Sequence, residues 1–470
     1  MAQETSQDTS ETSLRFLSHI DAADRTDDLF SGLHVDFDPD SESVAGLRRR
    51  RRRVANSPDS PIKLVSLVEE DGVLYWRDGI PAPEPDLARR RRRAHARGEP
   101  PAREGAVVLA KEFPVLAPNQ VIAALGKIDQ RLNAAIDISL RSRLRQLQGG
   151  NGNFTLGNIE IPGPFAGRTL LFVHGTFSNA GNMLDEFMAT PAGRRFIEDA
   201  MSGAKKYDRV IFFEHATLSV SPVINALELG RAFAGSTGAI DVIAHSRGGL
   251  IVRWWLEAFG SSLQLGEGKP VRVVFAGSPL HGTSLAAPDK LQNAMSLISN
   301  IGSFAEVTLK LAGTANPFLW VGGKLVEVIV SVTGALAKTP LVDALVALIP
   351  GLAGQSAVSN NHEINRLRLG PCAVDPMYYV VKSNFETENP GWKFWQNFRK
   401  DRMGDLAADI VFPGKNDLVV DTASMTDLGD AEFKLKLAAD PCDFGTSDTV
   451  WHCNYFRQDK TIAYITEKFI

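Results

Sequence analysis

One stretch, from Ala239 to Gly249, constrains the fold of this chain more than any other. A β-branched run leads to Ser246, two glycines follow at 248 and 249, and a helix-compatible segment, Leu250 to Ala258, comes next. A serine between a strand and a helix can occupy a strained turn that exposes its hydroxyl, provided that small residues flank it. Gly248 meets this requirement, whereas Ala244 stands where glycine is usual. The stretch predicts either a nucleophile elbow of the form A-H-S-R-G or an ordinary structural turn.

Length and composition allow one large domain with smaller additions. The chain has 470 residues, of which 44% are hydrophobic, and a formal net charge of −4. A single core can be built from roughly 250 to 320 of these residues, and the nearly balanced charge creates no field directed at nucleic acid. Three cysteines without regular spacing, Cys372, Cys442 and Cys453, are not typical of a disulfide framework or a metal cluster. This composition favours a reduced, cytoplasmic setting.

The chain shows no pattern of a secretion signal or a membrane span. Residues 1–10 are polar and acidic, and they lack the basic and apolar regions of a signal peptide. The most apolar stretch, residues 317–352, is interrupted by four charged side chains, whereas a transmembrane helix needs ~20 nearly uncharged residues. We therefore expect a cytoplasmic protein, with peripheral attachment to a membrane left open.

The amino-terminal third predicts an acidic tail, arginine runs and a small hairpin. Residues 1–60 are expected to comprise a disordered acidic tail followed by the arginine run Arg48 to Arg53, and Arg89 to Arg93 is a second run. The runs either bind an anionic membrane surface or form a solvated linker. Nucleic acid is not favoured as a partner, because no aromatic platform accompanies the arginines. Within residues 61–150, Asp71-Gly72 predicts a hairpin, and the apolar spacing predicts a helix from Pro118 to Gln148.

Residues 151–470 have the pattern of an α/β domain with a mostly parallel, doubly wound sheet. Nearly continuous apolar runs are typical of parallel strands covered on both faces, and such runs occur at 169–173, 210–213, 240–244, 271–276 and 378–381. Helices are predicted at 183–201 and 250–259. An apolar, helix-compatible insert at about 284–360 follows a strand end. It is expected to form a cap or lid over the site, or a helical subdomain without a gating role.

A His-Gly turn directly after the first strong strand supplies a candidate oxyanion hole. Acyl transfer through a serine needs two backbone N–H donors where the tetrahedral oxyanion forms. Thr176 or Phe177 can provide one donor, and Arg247, the residue after Ser246, can provide the other. The alternative is a glycine turn of the ordinary kind between a strand and a loop.

Asp417 and His452 complete a candidate triad with Ser246. A base must take the proton of the serine hydroxyl, and an acid must hold that base in one tautomer. The chain order Ser, Asp, His is that of α/β-hydrolases, and both residues lie in loops that follow predicted strands. Asp421 and Asp448 are rival acids.

The remaining polar residues near these motifs are expected to support the site without touching the reacting atoms. This expectation covers His174, Gly175 and His245, and His281 is a further candidate. His215 and His362 lack a partner motif. Because His, Asp and Glu show no metal-ligand spacing, no metal is predicted.

The motif set resembles the lipase-type α/β-hydrolases, nearest to the branch with bacterial triacylglycerol lipases and GPI inositol-deacylase-like esterases. The resemblance covers roughly residues 165–460 and implies an α/β-hydrolase fold and no cofactor. It also implies Ser246 as nucleophile, Asp417 as acid, His452 as base, and the Thr176–Phe177 backbone with Arg247 as oxyanion hole. It rests on Phe172-Val-His-Gly-Thr, Ala244-His-Ser-Arg-Gly-Gly, Gly277-Ser-Pro-Leu-His-Gly-Thr, Asn416-Asp-Leu-Val-Val and His452.

Together, the motifs predict a serine hydrolase that cleaves carboxylic esters with an apolar acyl part through an acyl-enzyme. An acyltransferase or a peptidase would use the same triad, since the chemistry as far as the acyl-enzyme is shared. A non-catalytic interaction module, recruited to anionic surfaces by its arginine runs, is the alternative from a different class.

Overall fold

The computed structural model describes the chain in separate ranges. These are residues 62–70, 73–78, 105–114, 118–137, 139–150, 152–160, 163–202, 207–265, 268–287, 294, 296–297, 300, 349–368, 374–387, 411–412, 414–429 and 435–469. The acidic tail, both arginine runs, Cys372 and most of the insert lie outside them, so the expectations for these segments stay predictions. None of the helices in these ranges has the length and apolar character needed to cross a bilayer.

Contacts divide the chain into two units, neither of which is a single continuous segment. The first comprises residues 1–124, 288–345 and 389–411, and the second comprises residues 125–287, 346–388 and 412–470. The domain boundaries predicted from the sequence, after residues 60 and 150, stay a prediction. The structural division thus assigns most of the insert to the same unit as the amino-terminal region.

The first unit contains a three-stranded antiparallel sheet whose first two strands are the predicted hairpin. Its strands are β1 (Ile62–Glu70), β2 (Val73–Asp78) and β3 (Gly105–Pro114), in the order β2-β1-β3. Along the edge strand β2, the side-chain amide of Asn300 accepts from Leu74 N at 3.0 Å and donates to Leu74 O at 2.8 Å. An insert residue therefore occupies hydrogen-bonding positions that a neighbouring strand would otherwise fill.

The helix predicted from Pro118 to Gln148 is wrong in its second half. Helix α1 spans Pro118–Leu132, and the chain then turns and enters strand β4 (Arg143–Gly150). Ile136, Leu140 and Leu144 are four residues apart and imitate helical spacing. Leu140, however, has a φ of +56°, which no α-helix allows. The strand forms because β4 pairs with another strand of the main sheet, a partner that local periodicity does not reveal.

The second unit is built on an eight-stranded sheet with the order β11-β10-β9-β8-β6-β7-β4-β5. Strands β6 to β11 are parallel to one another, whereas β4 pairs antiparallel with β5 and with β7. All five strands predicted in this region are confirmed. The further bounds are β5 (Asn153–Asn158), β6 (Thr169–Val173), β7 (Arg209–Glu214), β8 (Ile240–His245), β9 (Val271–Ala276), β10 (Met377–Phe385) and β11 (Cys442–Ser447).

Helices connect these strands, and one of them differs from the prediction. The single helix expected at 183–201 is two helices, because Pro191 fits the first turn of a new helix and cannot continue the previous one. Helix α5 continues as a π-helical turn, Trp255–Phe259. The helices are α2 (Ala180–Met188), α3 (Pro191–Ser202), α4 (Pro222–Ala232), α5 (Gly248–Trp254), α6 (Pro350–Ala353), α7 (His362–Arg368) and α8 (Asp459–Lys468).

Two hydrophobic cores cover the two faces of the sheet, which explains the continuous apolar strands. In β6, Leu171 and Val173 belong to one core, while Leu170 and Phe172 belong to the other. This parallel, doubly wound arrangement is the α/β-hydrolase fold, as predicted. The carboxyl ends of its parallel strands meet at one edge, where catalytic groups of such sheets gather.

Candidate active site

Ser246 lies in the sharp turn between β8 and α5. Its φ is +53°, a left-handed value that is rare for a residue with a side chain. The turn is held by hydrogen bonds from Ser246 N to Ala276 O, at 3.0 Å, and from Gly249 N to Ser246 O, at 2.9 Å. The turn therefore has the geometry of a nucleophile elbow.

Close backbone crossings around Ser246 explain the glycines that flank it. A Cβ on Gly175 would lie 2.6 Å from the Ser246 Cβ, and one on Gly248 would lie 2.4 Å from Val173 O. Ala244, the residue that departs from the usual glycine, is fully buried in one of the two cores. Its methyl group points into apolar packing, so alanine is accommodated at this position.

The structure brings His452 to Ser246 from 206 positions along the chain. His452 Nε2 lies 2.9 Å from Ser246 Oγ, and Nδ1 lies 2.9 Å from Asp417 Oδ2. Because a carboxylate can only accept, Nδ1 carries the proton, which leaves Nε2 free to accept from the serine hydroxyl. The main chains of His452 and Asp417 are also hydrogen-bonded, because His452 N donates to Asp417 O at 3.0 Å.

Asp417 is fully buried, and its carboxylate has donors on both oxygens. Oδ1 accepts from the backbone N–H groups of Val419, at 3.1 Å, and Val420, at 2.8 Å. Oδ2 accepts from His452 and also from the hydroxyl of Tyr455, at 2.9 Å. Sequence reasoning missed Tyr455, although it stands only three residues beyond His452.

The two rival acids lie elsewhere. Asp421 Oδ2 accepts a hydrogen bond from Ser284 N at 2.8 Å, where it fastens the start of the insert to the acid-bearing loop. Asp448 is exposed. Of the three acidic residues weighed from the sequence, Asp417 is the one in contact with His452.

His245 holds the main chain of the histidine next to it in space. Its Nε2 lies 2.9 Å from His452 O, so it must carry the donated proton, and the two rings lie 4.8 Å apart. Burial, followed by the nearby His452, lowers the pKa of His245 to about 3. The ring is therefore neutral near pH 7 and acts as a fixed hydrogen-bond donor.

The His-Gly turn crosses directly over Ser246 and is fixed by the end of the insert. Phe177 has a φ of +60°, and Thr176 Oγ1 accepts from Gln355 Nε2 at 3.0 Å. Gln355 is 5% exposed, and its main-chain carbonyl oxygen accepts a hydrogen bond from Thr283 N at 2.8 Å. Sequence reasoning missed Gln355, which has no motif of its own.

Behind the His-Gly turn lies a buried polar cluster. His174 stacks on His215 with ring centroids 3.9 Å apart. His174 Nδ1 donates to Gly175 O at 3.0 Å, and Nε2 lies 3.3 Å from Glu214 Oε1 without hydrogen-bond alignment. Burial would raise the pKa of Glu214, but contacts with His174 and other donors lower it overall. Burial, followed by the neighbouring His174, lowers the pKa of His215 well below its usual value.

The side chain of Arg247 belongs to the same buried region, a role that the sequence did not predict. Its Nη2 donates to Val220 O at 2.6 Å and to Asn225 Oδ1 at 2.8 Å, and so fastens both the loop before α4 and the first turn of α4 to the elbow. Burial lowers the pKa of Arg247 to about 10, so it remains a cation near pH 7.

Two further histidines of the described ranges, His281 and His362, lie outside these contacts. His281 Nδ1 pairs with Asp427 Oδ2 at 2.8 Å, and His362 is an exposed residue of α7. Among the described residues, His, Cys, Asp and Glu form no group of three able to hold a metal ion.

Comparisons with known proteins match this chain to one family and to several solved structures. The family model described as a domain of unknown function, DUF7379, matches residues 153–469. No curated protein matches the sequence.

The solved structures similar to this chain are of low identity. EstA from Clostridium botulinum is 12% identical with a TM-score of 0.38, over 66% of this chain and 91% of that one. Lipase 1 from Pelosinus fermentans is 14% identical with a TM-score of 0.34, over 61% and 93%. The carboxylesterase EstE1 from a metagenomic library is 14% identical with a TM-score of 0.33, over 76% and 98%. At these identities and TM-scores, the likeness gives no information about the chemistry of this chain. That chemistry is inferred from the hydrogen bonds of Ser246, His452 and Asp417.

Proposed function

The chain belongs to the family described as a domain of unknown function, DUF7379, and we propose that this member is a serine hydrolase acting on carboxylic esters. The observation that carries the proposal is the unbroken chain of contacts from Ser246 Oγ through His452 to Asp417, with 2.9 Å at each step. Its donors and acceptors have the orientation that nucleophilic catalysis by serine requires.

In the proposed first step, Ser246 Oγ attacks the ester carbonyl while His452 Nε2 takes its proton. Asp417 Oδ2 stabilises the resulting imidazolium through the Nδ1–H bond. The negative charge on the former carbonyl oxygen is stabilised by the N–H of Arg247 and by a backbone N–H of Thr176 or Phe177.

In the second half of the cycle the leaving alcohol departs and water takes its place. The C–O bond of the tetrahedral intermediate breaks, and His452 returns the proton to the alcohol. Water, deprotonated by His452, then attacks the acyl-enzyme and releases the carboxylic acid, which restores Ser246. These steps are complete without a cofactor.

The substrate we propose is an ester with an apolar acyl part, as in the lipase branch that the motifs resemble. Support comes from the apolar composition of the insert at 284–360, which begins on the active-site side of the sheet. Further support comes from Gln355, which fastens the returning end of the insert to the turn over Ser246.

Labelling with a fluorophosphonate probe, followed by peptide mapping, tests nucleophile and class together. We expect the wild type to be labelled on Ser246 and to hydrolyse p-nitrophenyl esters. In Ser246→Ala, the rate of labelling and the rate of ester hydrolysis should each fall by about 10⁴-fold or more. The matched control is Ser278→Ala, since Ser278 is also a buried serine near the elbow but its hydroxyl makes no hydrogen bond.

A second set of substrates separates esterase from the related activities. Amide substrates test a peptidase, and added acceptor alcohols test an acyltransferase. If the wild type takes no label and cleaves no p-nitrophenyl ester of any chain length, the hydrolase assignment is wrong. If amides or acceptor transfer exceed ester hydrolysis, the triad assignment stands and the ester assignment is wrong.

A further inference from the structure

The carboxylate of Asp417 has one more donor than a hydrolase triad needs. Oδ1 is satisfied by two backbone N–H groups, which leaves Oδ2 to act on His452. Yet Oδ2 is shared, because the hydroxyl of Tyr455 and the Nδ1–H of His452 each lie 2.9 Å from it. Two donors therefore compete for the negative charge on one oxygen atom.

Tyr455 is fixed in this position by packing. It is 1% exposed and begins the short 3₁₀ turn Tyr455–Arg457, three residues after His452. Its ring fills the space that a side chain at position 277 would need, since a Cβ on Gly277 would lie 2.6 Å from Tyr455 Cε2. In this position the hydroxyl is directed at Asp417 Oδ2, and the sulfur of Met425 lies 3.9 Å from it.

The hydroxyl of Tyr455 also stays protonated. Burial, and then the charge of Asp417, raises the pKa of Tyr455 well above its usual value. The tyrosine is therefore protonated near pH 7 and donates to the carboxylate.

We propose that Tyr455 is a positioning residue that acts on His452 through Asp417, by fixing Oδ2 and withdrawing part of its negative charge. The inference rests on the proposed serine hydrolase function. Because Oδ2 is shared with Tyr455, it stabilises the imidazolium form of His452 less than an unshared carboxylate oxygen would. His452 thereby remains a neutral base to a lower pH.

The influence of Tyr455 on His452 can be separated from that of the other groups that face His452. They are Asp417 and Tyr455 on one side, Ser246 on the other, and His245 next to the main chain. His245 is neutral, and burial, followed by the charge of Glu186, raises the pKa of the neighbouring Cys453 thiol well above its usual value. Removal of the Tyr455 hydroxyl thus changes the charge felt by His452 only through Asp417.

Tyr455→Phe tests the proposal, with the rate of fluorophosphonate labelling measured against pH. Loss of the donor leaves more negative charge on Oδ2, so His452 should gain its proton at higher pH. We expect the acid limb of the profile to move upward by roughly half to one pH unit. Labelling should then be about three- to tenfold slower below the midpoint, and changed far less on the plateau.

Tyr378→Phe is the matched control. Tyr378 is also fully buried, and its hydroxyl donates to a buried carboxylate, Glu257 Oε1, at 2.8 Å. Its ring packs against that of Phe275, with the centroids 5.0 Å apart. If Tyr378→Phe moves the acid limb as far as Tyr455→Phe does, or if Tyr455→Phe slows labelling equally at all pH values, the proposal is wrong.

A second readout does not depend on activity. In histidine-labelled protein, the NMR signal of His452, assigned by its loss in His452→Asn, can be titrated in wild type and Tyr455→Phe. A higher midpoint in the variant supports the proposal, and an unchanged midpoint overturns it. If the wild type takes no label, the hydrolase function fails, and the titration still decides whether Tyr455 acts on His452.

Discussion

The elbow that carries Ser246 and the loops that carry Asp417 and His452 differ in the contacts that position them. The elbow has main-chain hydrogen bonds and close contacts between backbones, with Gly175 and Gly248 placed where any Cβ would overlap a neighbour at 2.6 Å or less. The two loops are positioned by hydrogen bonds, among them His452 N to Asp417 O at 3.0 Å and His245 Nε2 to His452 O at 2.9 Å.

This difference predicts two kinds of sensitivity. An elbow whose glycines lie directly against neighbouring backbones tolerates no added atom at those positions, and such a steric defect should not depend on pH. Loops held by hydrogen bonds tolerate substitutions of similar shape but respond to any change in the number or charge of their donors. Three substitutions test whether the two regions behave in these ways.

The largest expected effect is that of Asp417→Asn, which keeps the shape of the acid and changes its hydrogen bonding. The amide presents a donor where Nδ1–H of His452 needs an acceptor, so the imidazole is held in the wrong tautomer. We expect kcat to fall by about 10³- to 10⁴-fold with little change in KM. Ester hydrolysis and the labelling rate measure the effect.

The control for this change is Asp421→Asn at the rival acid. An asparagine there still accepts from Ser284 N, so we expect activity to stay within about threefold of the wild type. A larger loss in Asp421→Asn than in Asp417→Asn would mean that the acid has been assigned to the wrong residue.

Gly175→Ala adds one methyl group at the closest crossing over Ser246. Its Cβ would lie 2.6 Å from the Ser246 Cβ and 3.2 Å from His245 O, so the turn must shift. We expect labelling to slow by about 10- to 100-fold, because displacement of the nucleophile by a fraction of an ångström disrupts its approach to the carbonyl. Gly414→Ala is the control, since a Cβ there meets nothing within 4 Å.

The pH dependence of this defect is informative as well. A steric defect should lower the rate by the same factor at every pH, in contrast to Tyr455→Phe. A displaced acid limb in Gly175→Ala would show that the elbow and the base are not independent.

The smallest expected effect is that of Ala244→Gly, which restores the usual glycine of an elbow. The substitution removes a methyl group from the core and frees the unfolded backbone, so unfolding should become easier by about 1 kcal/mol. We expect the labelling rate to change less than threefold. Thermal unfolding and labelling together measure the outcome, and a markedly faster variant would mean that alanine strains the turn.

The parts of the fold that could be predicted are those whose cause is local. The run Thr169–Val173 is apolar because both faces of β6 are covered, so the strand was predictable from its residues alone. The helix error at 118–148 shows the opposite case. The spacing of Ile136, Leu140 and Leu144 suits a helix, but pairing between β4 and β7, in which Leu144 faces Phe213, decides that a strand forms.

The candidate site also has parts that the sequence could predict and parts that it could not. The motif Asn416-Asp-Leu-Val-Val favoured Asp417 as the acid, whereas chain order alone fits Asp421 equally well, because both residues lie between Ser246 and His452. The partners that fix these residues were not predictable. Gln355 reaches Thr176 over 179 positions, and the Arg247 side chain reaches back 22 positions to Asn225. Neither pair has a spacing or a composition in the sequence that would predict its contact.

The sequence by itself determined that Ser246 lies in a turn between strand and helix, because strand, turn and helix are adjacent and each depends on its own residues. Only the tertiary structure decided that Tyr455 shares the carboxylate oxygen used by His452, and that His245 holds the main chain of that base. These contacts join atoms from loops that only the sheet brings together, as the 206 positions between Ser246 and His452 illustrate. A hydrogen bond depends on distance and direction in space, and local sequence patterns contain neither.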